Sequence, residues 1–533
     1  GCGGDDDEAG EGGDTGGATD TTGPAAEQVL RIAWGAEPPS LDPGKATDTT
    51  SSNVILALMD PLVRLNPDTL EPEASLAESW EEEGATVTFN LRDDATWTNG
   101  DPVTAQDFVY SWKRTLSPEL AADYAYQLYG IKGAAEYNGC TEGDCAALAD
   151  AVGVTAVDDY TLQVELTSEQ PWFLGQVSHH SFLPVHQATV EEFGDNWTDP
   201  ENIVTNGPFM LESWEHEASI NMVKNPDYRD ADNVTLERID GSIIVDGVTR
   251  VQAFEAGEVD ALDGAGLPPE DIERLKQEPY YEQYPALGTY YYGFNTKNIG
   301  LDQRKAMSLA INRKIITDEI DRTGRAQATG MTPNGIKGFD VINPNSPWLP
   351  SEGDLEGAQA SMEAEPNPKT KINLFHNDAP GHKEIAVAVQ DMWKELGIDT
   401  TIKAQEWAQY LEFLGPPPNK AVDAYRLGWI YDFPDAINGL ELFTCDSGNN
   451  NTNWCNEEYD ALVEQARQTP DDAARYELYR QMEGIMFDEA GDVPLTPIMW
   501  YTYPNLESDA VRDTFFISPL DQIDFTKVVV AGG

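Results

Sequence analysis

Residues 426–435, RLGWIYDFPD, set Arg426, Asp432 and Asp435 inside an otherwise apolar and aromatic run. A surface loop does not need that aromatic mass, and a buried strand does not tolerate unpaired charge. Other chemistry-bearing residues are sparse. Four of the five cysteines form two close pairs, Cys140 and Cys145 around TEGD, and Cys445 and Cys455 around DSGNNNTNW. Loops this polar, each closed by two cysteines, suit local disulfides in an oxidising compartment. Zinc is the rival, but neither pair has a knuckle's two-residue spacing and no histidine lies nearby. Of the six histidines, only His179, His180 and His186 are locally dense, and VSHHSFLPVHQ reads as loop packing rather than a metal site. Motifs for a nucleophile elbow, a Walker loop, a zincin or an EF-hand are absent. Carboxylates are so abundant that naming a glycosidase pair is arbitrary. The residues point to no cofactor, and an enzyme is the least expected class.

Composition sets the frame for these residues. A chain of 533 residues is too long for one core, so two or three domains are expected. With 94 acidic against 33 basic residues, the formal net charge is −61. Such a surface repels nucleic acid and anionic membranes, although acidity as a general habit of the source is the plainer explanation. No run of about 18 apolar residues occurs. The opening, residues 1–27, is rich in Gly, Asp and Thr and lacks aromatic and basic residues, so a flexible tether is expected. Cys2 at its head resembles the lipidated cysteine of a bacterial lipoprotein.

Periodicity then places the elements. VLRIAW reads as a strand entering a Pro-rich loop, and residues 85–103 as a half-exposed hairpin turned at Asn99-Gly100. TAQDFVYSWKRTL reads as a helix capped by Thr104 with Asp107 three residues on. DYTLQVELTS and EASINMVKN are further strands. LDQRKAMSLAINRKIITDEI and HKEIAVAVQDMWKELGI are amphipathic helices that alternate with the strands KINLFHN and DTTIKAQEW, the pattern of an α/β domain. Residues 351–369 read as an exposed loop or a loosely packed helix.

At residues 76–114 the chain resembles the large solute-binding proteins of bacterial ABC importers that handle peptides. Ala77, Ser79 and Trp80 match that family's entry, Leu91 and Arg92 its strand end, Trp97 and Gly100 its Trp-x-x-Gly, and Pro102 to Phe108 its Pro-Val-Thr-Ala-x-Asp-Phe. FGDNWTDPENIVTNGPFMLESW, NPDYRDADNV and TYYYGFNTKN are similar to the oligopeptide-binding branch. The resemblance implies an α/β bilobal clamp of three domains that hinges shut around a ligand. Domain I comprises 28–60, 185–285 and 502–533, domain II is an insertion at 61–184, and domain III runs 286–501.

The same resemblance implies an importer subunit that captures short peptides, works as a monomer, and meets permease subunits outside the cytoplasm through a lipid anchor at Cys2. Gly428, Trp429 and Asp432 match the family's Gly-Trp-x-x-Asp, whose aspartate pairs with the ligand's α-ammonium group. Arg426 and His382 match groups at the carboxylate end. Were 426–432 one strand, both charges would face one side about 20 Å apart. Trp407 matches a pocket wall, Tyr124 and Tyr501 match tyrosines that reach the peptide, and Thr49 lies in a loop whose backbone pairs with it. An intradomain salt bridge is the rival role for Arg426, backbone bonding for Asp432, and core packing for the aromatics. Leu414 stands where some relatives carry an arginine, so one carboxylate anchor is expected to be missing. An oligosaccharide binder on the same fold is the runner-up, and a peptide-signal receptor is a further reading.

Overall fold

The computed structural model describes residues 27–343, 348–415 and 419–532. Cys2 and almost all of the expected tether lie outside them. Three main sheets organise the chain. The first is ordered Ala261–Leu262, Val29–Trp34, Arg238–Ile243, Ser219–Lys224, Phe209–Glu215, with its first three strands parallel. Leu30, Ile32, Ala33 and Trp34 are all buried, as expected of a parallel strand covered on both faces. The second sheet is ordered Asp399–Gln405, Lys371–Asn377, Ala424–Ile430, Tyr281–Phe294, Leu495–Leu506, again parallel over its first three strands. A four-stranded antiparallel sheet, Ala77–Glu83, Thr86–Leu91, Thr161–Glu165 and Val154–Asp158, lies in the chain between the halves of the first and packs its own core around Phe89, Trp97 and Trp112.

Two long strands tie the lobes together. Tyr281–Phe294 and Leu495–Leu506 pair antiparallel from Tyr281 opposite Leu506 to Gly293 opposite Leu495. Their register shifts between Pro285 and Thr289, where the proline supplies no amide donor. One end of the pair reaches the first sheet through the bridge between Ala261 and Glu507. The mixed α/β, bilobal character anticipated from the sequence is present in these sheets.

Helix starts follow local chemistry. Asp48 caps Thr49–Leu58 by accepting from Ser51 N at 3.0 Å. In Ala105–Thr115 the Asp107 carboxylate accepts from Thr104 N at 2.7 Å, as its sequence predicts. Residues 351–369 contain the helix Leu355–Ala364.

Two local expectations need correction. Thr86–Leu91 hairpins with the preceding strand Ala77–Glu83, and the Asn99-Gly100 turn closes only a single bridge between Thr96 and Pro102. The helix read across residues 301–320 stops at Leu309 and resumes at Arg313, because Asn312 caps a new start by accepting from Ile315 N at 3.0 Å.

Candidate functional site

The parallel strands of both lobes aim their carboxyl ends at one place, the usual ligand crevice of α/β sheets. From the first sheet come Gly35 and Ala36 after one strand, Val245 after another, and Gly264–Gly266 after the third. From the second come Asn377, Glu406 and the segment 426–432. Together they line a cavity of about 270 Å³. Thr49, Tyr124, His382, Trp407, Arg426, Gly428, Trp429, Asp432 and Tyr501 all lie on its wall. His382 and Trp407 are the first residues of the helices His382–Lys394 and Trp407–Leu414. Glu406 caps the second of these by accepting from Ala408 N at 3.1 Å.

Arg426 is 6% exposed, and its guanidinium sits 4.4 Å from the centroid of the Tyr290 ring. Its Nη1 donates to Asn377 Oδ1 at 3.0 Å and its Nη2 to Tyr501 Oη. No ion pair joins it to a carboxylate, and its Nε has no partner, among the described residues. The intradomain salt bridge considered from the sequence is therefore absent there. Burial works against this charge, while Tyr501, Tyr290 and Tyr410 outweigh burial and hold the guanidinium's pKa above its ordinary value. Gly428 is required by the same cluster, since a Cβ there would stand 2.0 Å from Tyr501 Oη.

Asp432 lies two residues beyond the strand Ala424–Ile430, so strand geometry does not extend from Arg426 to it. Its backbone N–H and the Trp429 indole N–H both donate to Asn438 Oδ1, at 2.9 Å each. The carboxylate accepts from Gln127 Nε2 at 2.6 Å and Asn438 Nδ2 at 2.9 Å, and from Tyr124 Oη at 3.3 Å. His179 Nε2 lies 3.0 Å from its Oδ1. Burial pushes this carboxyl up, but His179 and Asn438 reverse that and hold it below the usual carboxylate range. Asp435 takes the structural role, accepting from Tyr479 Oη at 2.7 Å and pairing with Arg475 at 3.4 Å.

His382 packs edge-on to Tyr290, ring centroids 5.5 Å apart. Burial, the Arg426 charge and His376 hold it well below the ordinary imidazole value. At neutral pH it offers a hydrogen-bond donor rather than a cation. Leu414 is fully buried in the second lobe's core and is not on the cavity wall, because its helix turns that position inward.

Several participants escaped the sequence reading. His179 and His180, read as loop packing, both line the cavity. Burial and His179 drive His180 down to about 3. Gln127 and Asn438 hold Asp432 from elements with no motif of their own. Arg325 lines the wall and is paired with Asp321 at 2.7 Å. Both cysteine pairs form disulfides, Cys140–Cys145 and Cys445–Cys455. The second closes a loop whose Asn449 and Asn451 reach the cavity. Among the described residues no cluster of potential ligands fit to hold a metal ion occurs.

A cavity enclosed between two lobes joined by paired strands defines a bilobal solute-binding clamp. The pattern described as "Bacterial extracellular solute-binding proteins, family 5 Middle" matches residues 71–451, and the chain belongs to this family. It is similar to the oligopeptide-binding protein OppA of Bacillus subtilis, 37% identical over 89% of this chain and 88% of that protein. Among solved structures it resembles Haemophilus influenzae OppA in complex with RPPGFSPFR, with a TM-score of 0.88 and 30% identity over 95% of this chain and 99% of that one. The Escherichia coli murein tripeptide-binding protein MppA superposes with a TM-score of 0.86 at 29% identity, covering 96% of this chain and 100% of that one. The unliganded open form of MppA, at 29% identity and 96% and 98% coverage, gives only 0.64. The lobes here are thus not spread as in that open form.

Proposed function

We propose that this chain is the substrate-binding subunit of an ABC importer, capturing oligopeptides outside the cytoplasm and passing them to a membrane permease. One observation carries the reading: Arg426 and Asp432, opposite charges on one short segment, both line the cavity between the lobes, and Arg426 has no carboxylate partner among the described residues. A peptide is an extended backbone with a positive and a negative end, and burying it requires a partner for each. A neutral oligosaccharide leaves Arg426 uncompensated.

In this reading the ligand's α-ammonium approaches Asp432 Oδ1 beside Tyr124, whose bond is the longest of the four and the easiest to redirect. Its carboxylate meets Arg426, with His382 donating a hydrogen bond. Thr49 and Gly428 offer backbone groups, Trp407 and Trp429 wall side-chain space, and the Tyr501 hydroxyl orients Arg426. Backbone pairing of this kind is blind to side chains and suits mixed peptides. Closure is a hinge motion at the register shift near Pro285. Lipidation at Cys2 would anchor the chain to the outer face of the cell membrane.

The experiment is mass spectrometry of small molecules released on denaturing the purified protein, followed by calorimetry with a tetrapeptide in free, N-acetylated and C-amidated forms. Short peptides on release, and weaker binding on blocking either end, are expected. Release of sugars without peptides, or indifference to both blocks, overturns the proposal.

A further inference from the structure

Three of the four groups bonded to the Asp432 side chain come from the inserted segment 61–184: His179 at 3.0 Å and Tyr124 at 3.3 Å on Oδ1, and Gln127 at 2.6 Å on Oδ2. A carboxylate offers about four acceptor sites, so its orientation is set from that segment. Asp60 and Asp42, also buried, are held differently. Asp60 is gripped by Arg64 and Arg229, both at 2.7 Å, and Asp42 by Arg114 at 2.6 Å. Those carboxylates are fixed and neutralised together.

Asp432 is held instead by an imidazole, a phenol and two amides. The Nδ1 of His179 lies 2.9 Å from Ser181 Oγ and 3.3 Å from Ser181 N, so that Nε2 is the ring nitrogen facing Asp432. The carboxylate is thus oriented by a hydrogen bond without an arginine or lysine cancelling its charge. His179 is itself backed by His180, ring centroids 3.9 Å apart. The Nε2 of His180 is 2.9 Å from Ala46 O, in the first-lobe loop that continues into Asp48 and Thr49 on the cavity wall. The two histidines therefore connect the cavity loop of one lobe to the carboxylate of the other.

We propose that His179 is a positioning residue for ligand recognition, orienting Asp432 from the inserted domain so that the clamp favours ligands with a free amino terminus. This rests on the reading of Asp432 as the ammonium anchor. The inserted domain thereby belongs to the recognition apparatus, and the preference for a free amine depends on residues outside the two hinged lobes.

The test compares wild type, His179→Leu and His179→Gln by calorimetry with one tetrapeptide, free, N-acetylated and C-amidated, with thermal unfolding as a check on folding. In the Leu variant the penalty for acetylation is expected to shrink about tenfold, the weight of one hydrogen bond to a charged group. The penalty for amidation stays at its wild-type value. The Gln variant, which keeps an N–H donor, restores most of the acetylation penalty. An unchanged penalty in the Leu variant overturns the proposal, as does an equal fall of both penalties, which marks a general packing role. A wild type indifferent to acetylation but sensitive to amidation sinks the ammonium-anchor reading itself. Imidazole nitrogen shifts of His179 in the wild-type chain give a readout free of variants. They are expected to move with the free peptide and not with the acetylated one, and movement with both overturns the proposal.

Discussion

Arg426 stacks 4.4 Å from the Tyr290 ring centroid and bonds Asn377 and Tyr501, so that aromatic and neutral groups rather than an anion hold a buried cation at the cavity wall. A buried charge without a counter-ion costs stability unless something else requires it. Arg426→Met is therefore expected to separate the two demands. Affinity for a free-carboxylate peptide should fall by about 2–5 kcal/mol, with little change for the C-amidated form. The melting temperature should hold or rise. A large drop in melting temperature with affinity intact would show that Arg426 serves the fold.

Asp432→Asn tests the opposite end. Removing the charge is expected to abolish the preference for a free over an acetylated amine in calorimetry. An amide also turns a donor toward Gln127 or His179, so a loss of about 1–3 kcal/mol in denaturant unfolding should accompany it. Retention of the preference would remove Asp432 from the ammonium site.

Glu507, fully buried beside the strand pair that joins the lobes, accepts from Tyr284 Oη at 2.7 Å and Asn505 Nδ2 at 3.0 Å. Burial lifts its carboxyl from the ordinary 4.5 to about 7. The folded form then binds more protons than the unfolded between those values, so this group's contribution is present below pH 4.5 and is lost as pH rises through 7. Glu507→Gln is expected to stabilise the protein at pH 8 by up to about 3 kcal/mol and to converge with wild type near pH 4.5. His180 works with the opposite sign. Its depressed value, about 3 against an ordinary 6.5, gives stability that is present above 6.5 and declines as pH falls toward 3. Urea unfolding across pH 3–8 reads both limbs, and an E507Q curve parallel to wild type would refute the assignment.

The two disulfides should behave differently. Replacing Cys445 and Cys455 by serine is expected to cost about 2–3 kcal/mol. It should also weaken peptide binding, because Asn449 and Asn451 of that loop line the cavity and Asn449 reaches Tyr126 Oη at 3.3 Å. Replacing Cys140 and Cys145, whose loop lies off the cavity, should leave affinity unchanged. Equal effects on binding from both pairs would contradict this division.

Much of this protein is written in short stretches of its chain. Alternating or continuous apolar runs such as VLRIAW and KINLFHN specify strands because burial acts on neighbouring side chains. Thr104 and Asp107 mark a helix start three residues apart, and each disulfide closes a loop short enough to read directly. The odd chemistry of residues 426–435 is visible because charge in an aromatic run conflicts with burial.

What needed the tertiary structure is whatever depends on partners distant in sequence. His179 and His180 look like loop packing until folding brings one against Asp432 and the other against Ala46. The charge state of His382 follows from its burial and the Arg426 beside it, and Leu414 faces the core because of its helix's phase. Even Arg426 could not be told from an ordinary salt-bridge residue until its surroundings were assembled. Local sequence decides which elements form, since propensity and periodicity act over a few residues. Burial, charge and hydrogen-bond partnership act through space, and only the packed lobes decide which charge is satisfied by the protein and which is left for a ligand.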